Sequence, residues 1–564
     1  MDIRNKKIWD KIRTNPAYKP LIDMLMADYD KVCKDQEIPM ILFSQERRFT
    51  EEGDRADFEK TYFMRREQLS VYAMLALIYP ENDKYLKKLE DLICEICCEY
   101  SWALPMHRPL VFQNQRDTID LFAAETGLYL TEIKYLLIDR LHPMVVNRMT
   151  NEIKYRIIDS IKKNDFWWHS GIFESQNNWA AVCGGSVGAI LIYESPEDYE
   201  IARPKIETAM KSYLKGITEE GACVEGVTYW TYGFAFYILY QDLLKDTAYG
   251  QIYDDLGQQK VVNEAEFLLN MRLDDKDNIV SFSDSGNKFS WQIWLFYYLN
   301  KKYGTQLPSF DTSEITFIKF SWVLRAFLCF DPEIKPEPLK PKRTFYKEAH
   351  WFVDRNENYG FAVKGGNNNE EHNHNDLGSF IFATSGKQVL CDLGSSLYNA
   401  KMFSVKRYEI FNCSALGHSI PIINGKEQLQ GSKYQAELSV SENIVKVDLT
   451  KAYPLELYKI QREFELDDNV VTLTDEIIGA ESIIERFITE IEPKIEDGII
   501  YLDNVKLDFR SSLGNKVEKA GYHTESMISH NRACSKNEGE RTIYVIDITL
   551  SNNTEKFIMK ISIE

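Results

Sequence analysis

Up to about residue 330 the apolar positions recur every three to four residues, in segments such as 69–78, 121–137, 179–192, 234–244 and 317–330. That spacing puts them on one face of a helix, and the short polar or Gly-containing connectors between segments suit antiparallel helical hairpins. No strict repeat recurs, so a solenoid of fixed period is not expected, while a closed ring of helix pairs fits the pattern. Further along, the period changes to two. Segments 444–449, 470–474, 499–502, 542–550 and 557–563 are β-branched and alternating, broken by Asp-Asp, Asp-Gly and Asn-Asn turns, which predicts an antiparallel sheet or sandwich. Between the two texts, Pro332, Pro336, Pro338 and Pro341 give residues 331–343 the composition of a linker. The expected division is a helical domain at 1–330, the linker at 331–343 and an antiparallel β domain at 344–564.

At 564 residues, 44% hydrophobic and 13% aromatic with 32 Tyr, the chain can fill more than one core and still line a cleft with rings that suit sugar faces. A net charge of −19 argues against a nucleic-acid or acidic-membrane surface, since either needs a basic footprint. It leaves room for an anionic substrate in a locally basic cleft. Cys94, Cys97 and Cys98 cluster in an apolar helical stretch with no second pair at zinc-ribbon spacing, so buried thiols are expected there. The N-terminus leads into a charged amphipathic helix without an apolar leader, and no run of roughly 18 apolar residues is present to span a bilayer. A cytoplasmic protein is expected if Met1 is the native start, and a periplasmic or secreted one if a leader has been removed.

Three segments carry candidate chemistry. His372 and His374, two of only nine histidines, stand in His372-Asn373-His374-Asn375-Asp376, followed by Leu377-Gly378-Ser379-Phe380. Two imidazoles and a carboxylate that close together suit metal binding or acid–base work; a solvated polar loop is the alternative. Downstream, Asp392 and His418 complete a sparse His, Asp, His set that could close round one divalent ion. If residues 372–374 are extended, both imidazoles point the same way, so serving a cleft and an ion separately requires a twist. The second segment, Gln176-Asn177-Asn178-Trp179, opens a helix, and N-capping explains one of its asparagines. The third, Glu225-Gly226-Val227-Thr228-Tyr229-Trp230-Thr231-Tyr232-Gly233, places Tyr229 and Tyr232 on one helical face, with core aromatics as the alternative.

Together these segments resemble the heparinase II/III-like polysaccharide lyases. The most specific portion is His372-x-His374-x-Asp376-Leu-Gly-Ser-Phe, continuing through Gly386, Asp392-x-Gly394, Tyr398, Arg407-Tyr408, His418, Asn424-Gly425 and Gln428. The resemblance covers most of the chain from about residue 60 and implies an (α/α) toroid joined to an antiparallel β-sandwich. It also implies β-elimination at a uronate, with Tyr229 and His372 as catalytic residues and Asn177 and Asn178 neutralising the substrate carboxylate. Trp179, Glu225, Trp230, Tyr232 and Arg407 are the expected substrate-binding residues. By the same resemblance His374, Asp392 and His418 hold a structural divalent ion, commonly zinc, although such a set also suits manganese.

One departure is Asn178, where several relatives have His; an amide cannot act as a base, which shifts proton abstraction towards Tyr229. The implied substrate is a glycosaminoglycan of the heparan sulfate, hyaluronan or chondroitin type, with alginate or its oligomers as the alternative. Two other readings are a toroid glycoside hydrolase using Glu225 and Asp284 across the cleft, and a non-catalytic carbohydrate-binding protein.

Overall fold

The structure, a computed structural model, describes residues 3–109, 114–245, 247–250, 258–276, 278–286, 292–309, 317–512, 517–528, 540–551 and 554–564. Its first half is helical from Lys6–Thr14 to Phe320–Cys329. The inner helices are apolar on every side, as buried helices must be: residues 180–191 of Asn178–Glu194 are all buried. Caps fix where they begin. Asp120 accepts from Ala123 N (2.7 Å) at the start of Leu121–Leu137, and Asn177 accepts from Trp179 N (3.0 Å) at the start of Asn178–Glu194; each cap is worth about 1 kcal/mol.

Asn178–Glu194 packs against Leu121–Leu137, Pro196–Lys215 and Val227–Leu244, and Phe320–Cys329 returns to Ala56–Ile78 and Leu121–Leu137. The helix pairs thereby curve back on themselves as a ring. No described helix is long and apolar enough to cross a membrane.

The second half is antiparallel. Five strands, Lys342–Tyr346, Trp351–Arg355, Gly360–Lys364, Phe380–Thr384 and Lys387–Leu390, form a sheet in chain order. A nine-stranded sheet includes Gly431–Ser441, Ile444–Asp448, Lys459–Leu466, Val470–Ile478, Ile499–Leu502 and Lys556–Ile563, and a four-stranded one pairs Glu540–Leu550 with Val517–Ile528 and Ile483–Thr489. The five-stranded sheet is covered on both faces. Trp351 and Val353 join the core of the helical domain, whereas Phe352 between them joins the sandwich core, and Phe361 and Phe380 lie 4.9 and 5.0 Å from Phe464 of the large sheet. Period-two geometry thus makes this sheet the middle layer between the helices and the outer strands.

The proline-rich segment is tied down: Glu337 N donates to Leu307 O (2.9 Å) and Gln306 Nε2 to Pro338 O (2.7 Å). In the sandwich, fully buried Arg462 pairs with Asp475 and donates to Gly378 O (2.9 Å) and Ser419 O (2.6 Å). It fastens the backbone beside Asp376 and beside His418 to the large sheet. The expectation of buried thiols in the Cys94 cluster needs correcting at Cys98, which is exposed near the helix end; Cys97 is buried and Cys94 half-buried. Burial pushes the Cys97 thiol up to about 12.

Candidate active site

The Val227–Leu244 helix begins after Gly226, whose φ of 96° and ψ of 173° only glycine adopts readily, and where a Cβ would meet Ser285 Oγ at 2.2 Å. This close approach presses the residue 279–286 loop onto the helix's first turn, with Gly286 N donating to Thr228 Oγ1 (3.2 Å). The same loop meets the β domain, where Ser395 N donates to Ser285 O (3.0 Å) and a Cβ on Gly394 would lie 2.1 Å from that oxygen. Two glycines therefore let one loop of the helical domain run between Tyr229 and the β domain. Asp284 lies in it, fully buried.

Asp284 gathers four partners. His372 Nδ1 lies 2.8 Å from Oδ2, and the Tyr398 hydroxyl donates to the same oxygen at 2.9 Å. On Oδ1, His374 Nε2 lies at 3.1 Å and Arg407 Nη2 donates at 2.8 Å. Burial alone would raise the pKa of Asp284, but Arg407, His372 and His374 outweigh it and hold the carboxyl well below the usual range. As an anion it only accepts, so His372 carries a hydrogen on Nδ1 and presents Nε2, which lies 3.8 Å from Glu225 Oε2. His374, by the same logic, carries a hydrogen on Nε2 and presents Nδ1.

The required twist is present. His372 has φ 58°, a left-handed conformation that costs a non-glycine residue about 1 kcal/mol, and Arg407 clamps it by donating to His372 O (3.2 Å) and Asn373 O (3.1 Å). His372 consequently stacks on the Tyr229 ring at 3.8 Å and 16°, while the Tyr229 and Tyr398 hydroxyls lie 2.6 Å apart. Glu225, just before the helix, accepts from Asn178 N (3.0 Å) and Asn178 Nδ2 (2.6 Å). Burial pushes Glu225 up to about 8; the Asn178 bonds oppose that shift and nearby Glu371 adds to it.

The second cluster is different. His374, Asp392 and His418 are fully buried, and each offers one ligand atom within 4.8 Å of the others. His374 Nδ1, Asp392 Oδ2 and His418 Nδ1 are buried without a hydrogen-bond partner, although Asp392 Oδ2 and His418 Nδ1 stand 3.2 Å apart. The remaining atoms are occupied: His374 Nε2 on Asp284, His418 Nε2 on Asn412 O (2.9 Å), and Asp392 Oδ1 on Gly394 N (3.0 Å). Three orphaned lone-pair donors held by such outer contacts fit a divalent ion. Burial lowers the pKa of His374 and keeps it in the neutral, ligating form. Burial also works against the charge on His418, but Asp392 outweighs it and raises the pKa, so proton and ion compete there. Asp376, the carboxylate of the same string, is paired with buried Lys364 at 2.8 Å.

Residues 338–497 match the family described as heparinase II/III-like, C-terminal. That stretch is heparinase II/III-like. No curated protein sequence matches it. Among solved structures, the heparan sulfate lyase HepC from Pedobacter heparinus superposes with a TM-score of 0.58 at 12% identity, over 99% of this chain and 92% of that one. A heparinase III gives 0.58 at 12% identity over 98% and 92%. The chondroitin AC lyase of Streptomyces coelicolor A3 gives 0.56 at 10% identity over 99% and 82%. At these identities the likeness is one of fold.

At the junction with the heparinase II/III-like stretch Tyr229, His372, Glu225, Asn178 and Arg407 converge, and His374, Asp392 and His418 form their own cluster behind Asp284. Arg407 acts there as a clamp on His372 and Asp284. Asn177 caps its helix, with Nδ2 donating to Glu174 O (3.0 Å). Trp230, expected at the substrate, is fully buried with Nε1 donating to Glu264 O (3.0 Å); it packs the core and cannot touch a ligand in this conformation. Tyr232 likewise turns inward, donating to Glu125, which also pairs with Lys319 at 2.6 Å. Trp179 is half-buried in an aromatic shelf with Trp167 (5.0 Å) and His107 (4.8 Å).

An open hollow of about 660 Å³, lined by residues including Asn375, Tyr408, Gln428 and Leu429, contains neither Tyr229 nor His372. The hydrolase pairing is corrected by geometry: the His372 imidazole fills the space between Glu225 and Asp284, where a hydrolase needs sugar and water. Sequence reasoning missed Asp284 as the hub and Tyr398 as its link to Tyr229. Tyr398 stood in the family string, and Asp284 had no motif of its own.

Proposed function

We propose that the chain is a polysaccharide lyase that cleaves uronate-containing glycosaminoglycans by β-elimination, with Tyr229 and His372 as the proton-transfer pair. The observation that carries this reading is the pair itself, a phenol and an imidazole stacked at 3.8 Å with the imidazole tautomer set by a buried carboxylate at the domain junction. Likeness of fold to heparan sulfate and chondroitin lyases supports it.

A uronate C5–H is weakly acidic because its neighbour is an anion, so donors must first offset that charge. Asn178 Nδ2 has a second N–H beyond the one given to Glu225, and the proton that Glu225 retains with a pKa of about 8 keeps another negative charge away. His372 Nε2 takes the C5 proton, the electron pair forms the C4–C5 double bond, the C4–O4 bond breaks, and O4 leaves with the Tyr229 proton. His374, Asp392 and His418 would hold one ion, zinc before manganese, which supplies a structural tie between the loop bearing His372 and the rest of the β domain.

Incubation with hyaluronan, chondroitin, heparan sulfate and alginate chains or oligomers, followed by ultraviolet absorbance of the conjugated uronate, tests the reading. Growth on a glycosaminoglycan is expected. Growth on alginate alone would replace the substrate class, and silence on every uronate would remove the lyase reading.

A further inference from the structure

Tyr398 stands between Tyr229 and Asp284, its hydroxyl 2.6 Å from one and 2.9 Å from the other. It is held from several sides: the ring packs edge-on against Phe403 at 4.9 Å, with the Arg55 guanidinium 5.9 Å from its centroid. The flanking backbone is tied by Leu397 N to Ile528 O (3.0 Å) and by Ala400 N to Gly53 O (3.1 Å). A phenol has one hydrogen to give. Asp284, charged beside Arg407 and two imidazoles, can only accept it, so Tyr398 donates to Asp284 and its oxygen accepts the hydrogen of Tyr229.

We propose that Tyr398 is a positioning residue that keeps Tyr229 in its phenol form with the hydroxyl held in place, so that Tyr229 enters the reaction as the proton donor. For Tyr229 to rest as an anion, Tyr398 would have to turn its hydrogen from Asp284 to the phenolate. That exchanges one charge-assisted hydrogen bond for another and gives up the neutral one. The groups facing Tyr229 include His372 on its ring and Tyr398 at its hydroxyl, with Glu225 beyond His372 and with Asp284, Arg407 and Arg55 beyond Tyr398. The base role then falls to His372 Nε2, contrary to the expectation from the Asn178 departure that proton abstraction shifts towards Tyr229.

The inference rests on the lyase reading for what Tyr229 does, but its test needs no substrate. Tyrosinate absorbance is titrated in the wild type and in Tyr398→Phe, each minus the matching protein that also carries Tyr229→Phe, which isolates the Tyr229 increment. That increment should appear about 0.5–1 pH unit lower in Tyr398→Phe, the worth of one neutral hydrogen bond. On an accepted substrate the alkaline limb of kcat/KM should move down by the same interval, with kcat falling roughly 10-fold and KM nearly unchanged.

An increment at the same or a higher pH overturns the proposal. Should Tyr398→Phe fail to fold, 3-fluorotyrosine at position 398 keeps shape and hydroxyl while weakening the acceptor, and must move the increment in the same direction by less. A wild type silent on every uronate defeats the lyase reading and leaves this titration able to decide the role of Tyr398.

Discussion

His372 and His374 lie two residues apart and take opposite oxygens of one carboxylate, yet their other nitrogens face different surroundings. Around His372 the polar atoms are matched: Asp284 on Nδ1, the Tyr229 ring on its face, and Arg407 on its carbonyl. Around His374 three buried ligand atoms, His374 Nδ1, Asp392 Oδ2 and His418 Nδ1, lie close together without a hydrogen-bond partner. A proton-transfer site needs fixed tautomers, whereas an ion site needs lone pairs left open, and Asp284 supplies the first condition on one side and the orientation for the second on the other.

Replacing the shared carboxylate should break both sides at once. Asp284→Asn removes the anion that Arg407 and both imidazoles face, so turnover should fall by roughly 10³-fold and stability by about 3–5 kcal/mol, read by initial rates and denaturant unfolding. Retained turnover would mean that the tautomer of His372 is set elsewhere. A one-sided break is next in size. His418→Ala should abolish the roughly one equivalent of ion expected by elemental analysis and lower the melting temperature, with any catalytic loss following indirectly from loosened loops. Stoichiometric metal persisting in that variant would place the ion elsewhere.

The smallest effect lies away from both clusters. Burial pushes Glu264 up to about 8 from 4.5; Tyr213 donates to Oε1, and Oε2 is buried without a partner. Between those two values the unfolded chain has released a proton that the folded chain keeps, so stability falls as pH rises across the window. Glu264→Gln keeps the Tyr213 bond and removes the titration, and should make the decline shallower by about 1 kcal/mol per pH unit. An unchanged slope from about pH 5 to 8 would contradict the assignment.

The alternating outer strands were legible in the sequence: segments 444–449 and 557–563 lie within strands Ile444–Asp448 and Lys556–Ile563 to within a residue. The five-stranded middle sheet was not read out, because strands such as Trp351–Arg355 are buried on both faces and show no alternation. The same physics hid the orientation of Val227–Leu244. A helix apolar all round gives no sign of which side meets the cleft, so Trp230 and Tyr232 were read with Tyr229 although Trp230 is fully buried and half-buried Tyr232 turns its hydroxyl to Glu125. His372 and the His374, Asp392 and His418 cluster were visible as a string, but the meeting of His372 and His374 on Asp284 depends on a loop about ninety residues earlier, and chain spacing does not encode that contact.

The central claim is that the His372 side, and not the ion side, performs the proton chemistry. Turnover of an accepted uronate polymer by Tyr229→Phe, with ion content measured on the same sample, tests it most directly. The account predicts a rate at least ~10²-fold lower with melting temperature and bound ion unchanged; near-wild-type turnover in that variant would contradict it.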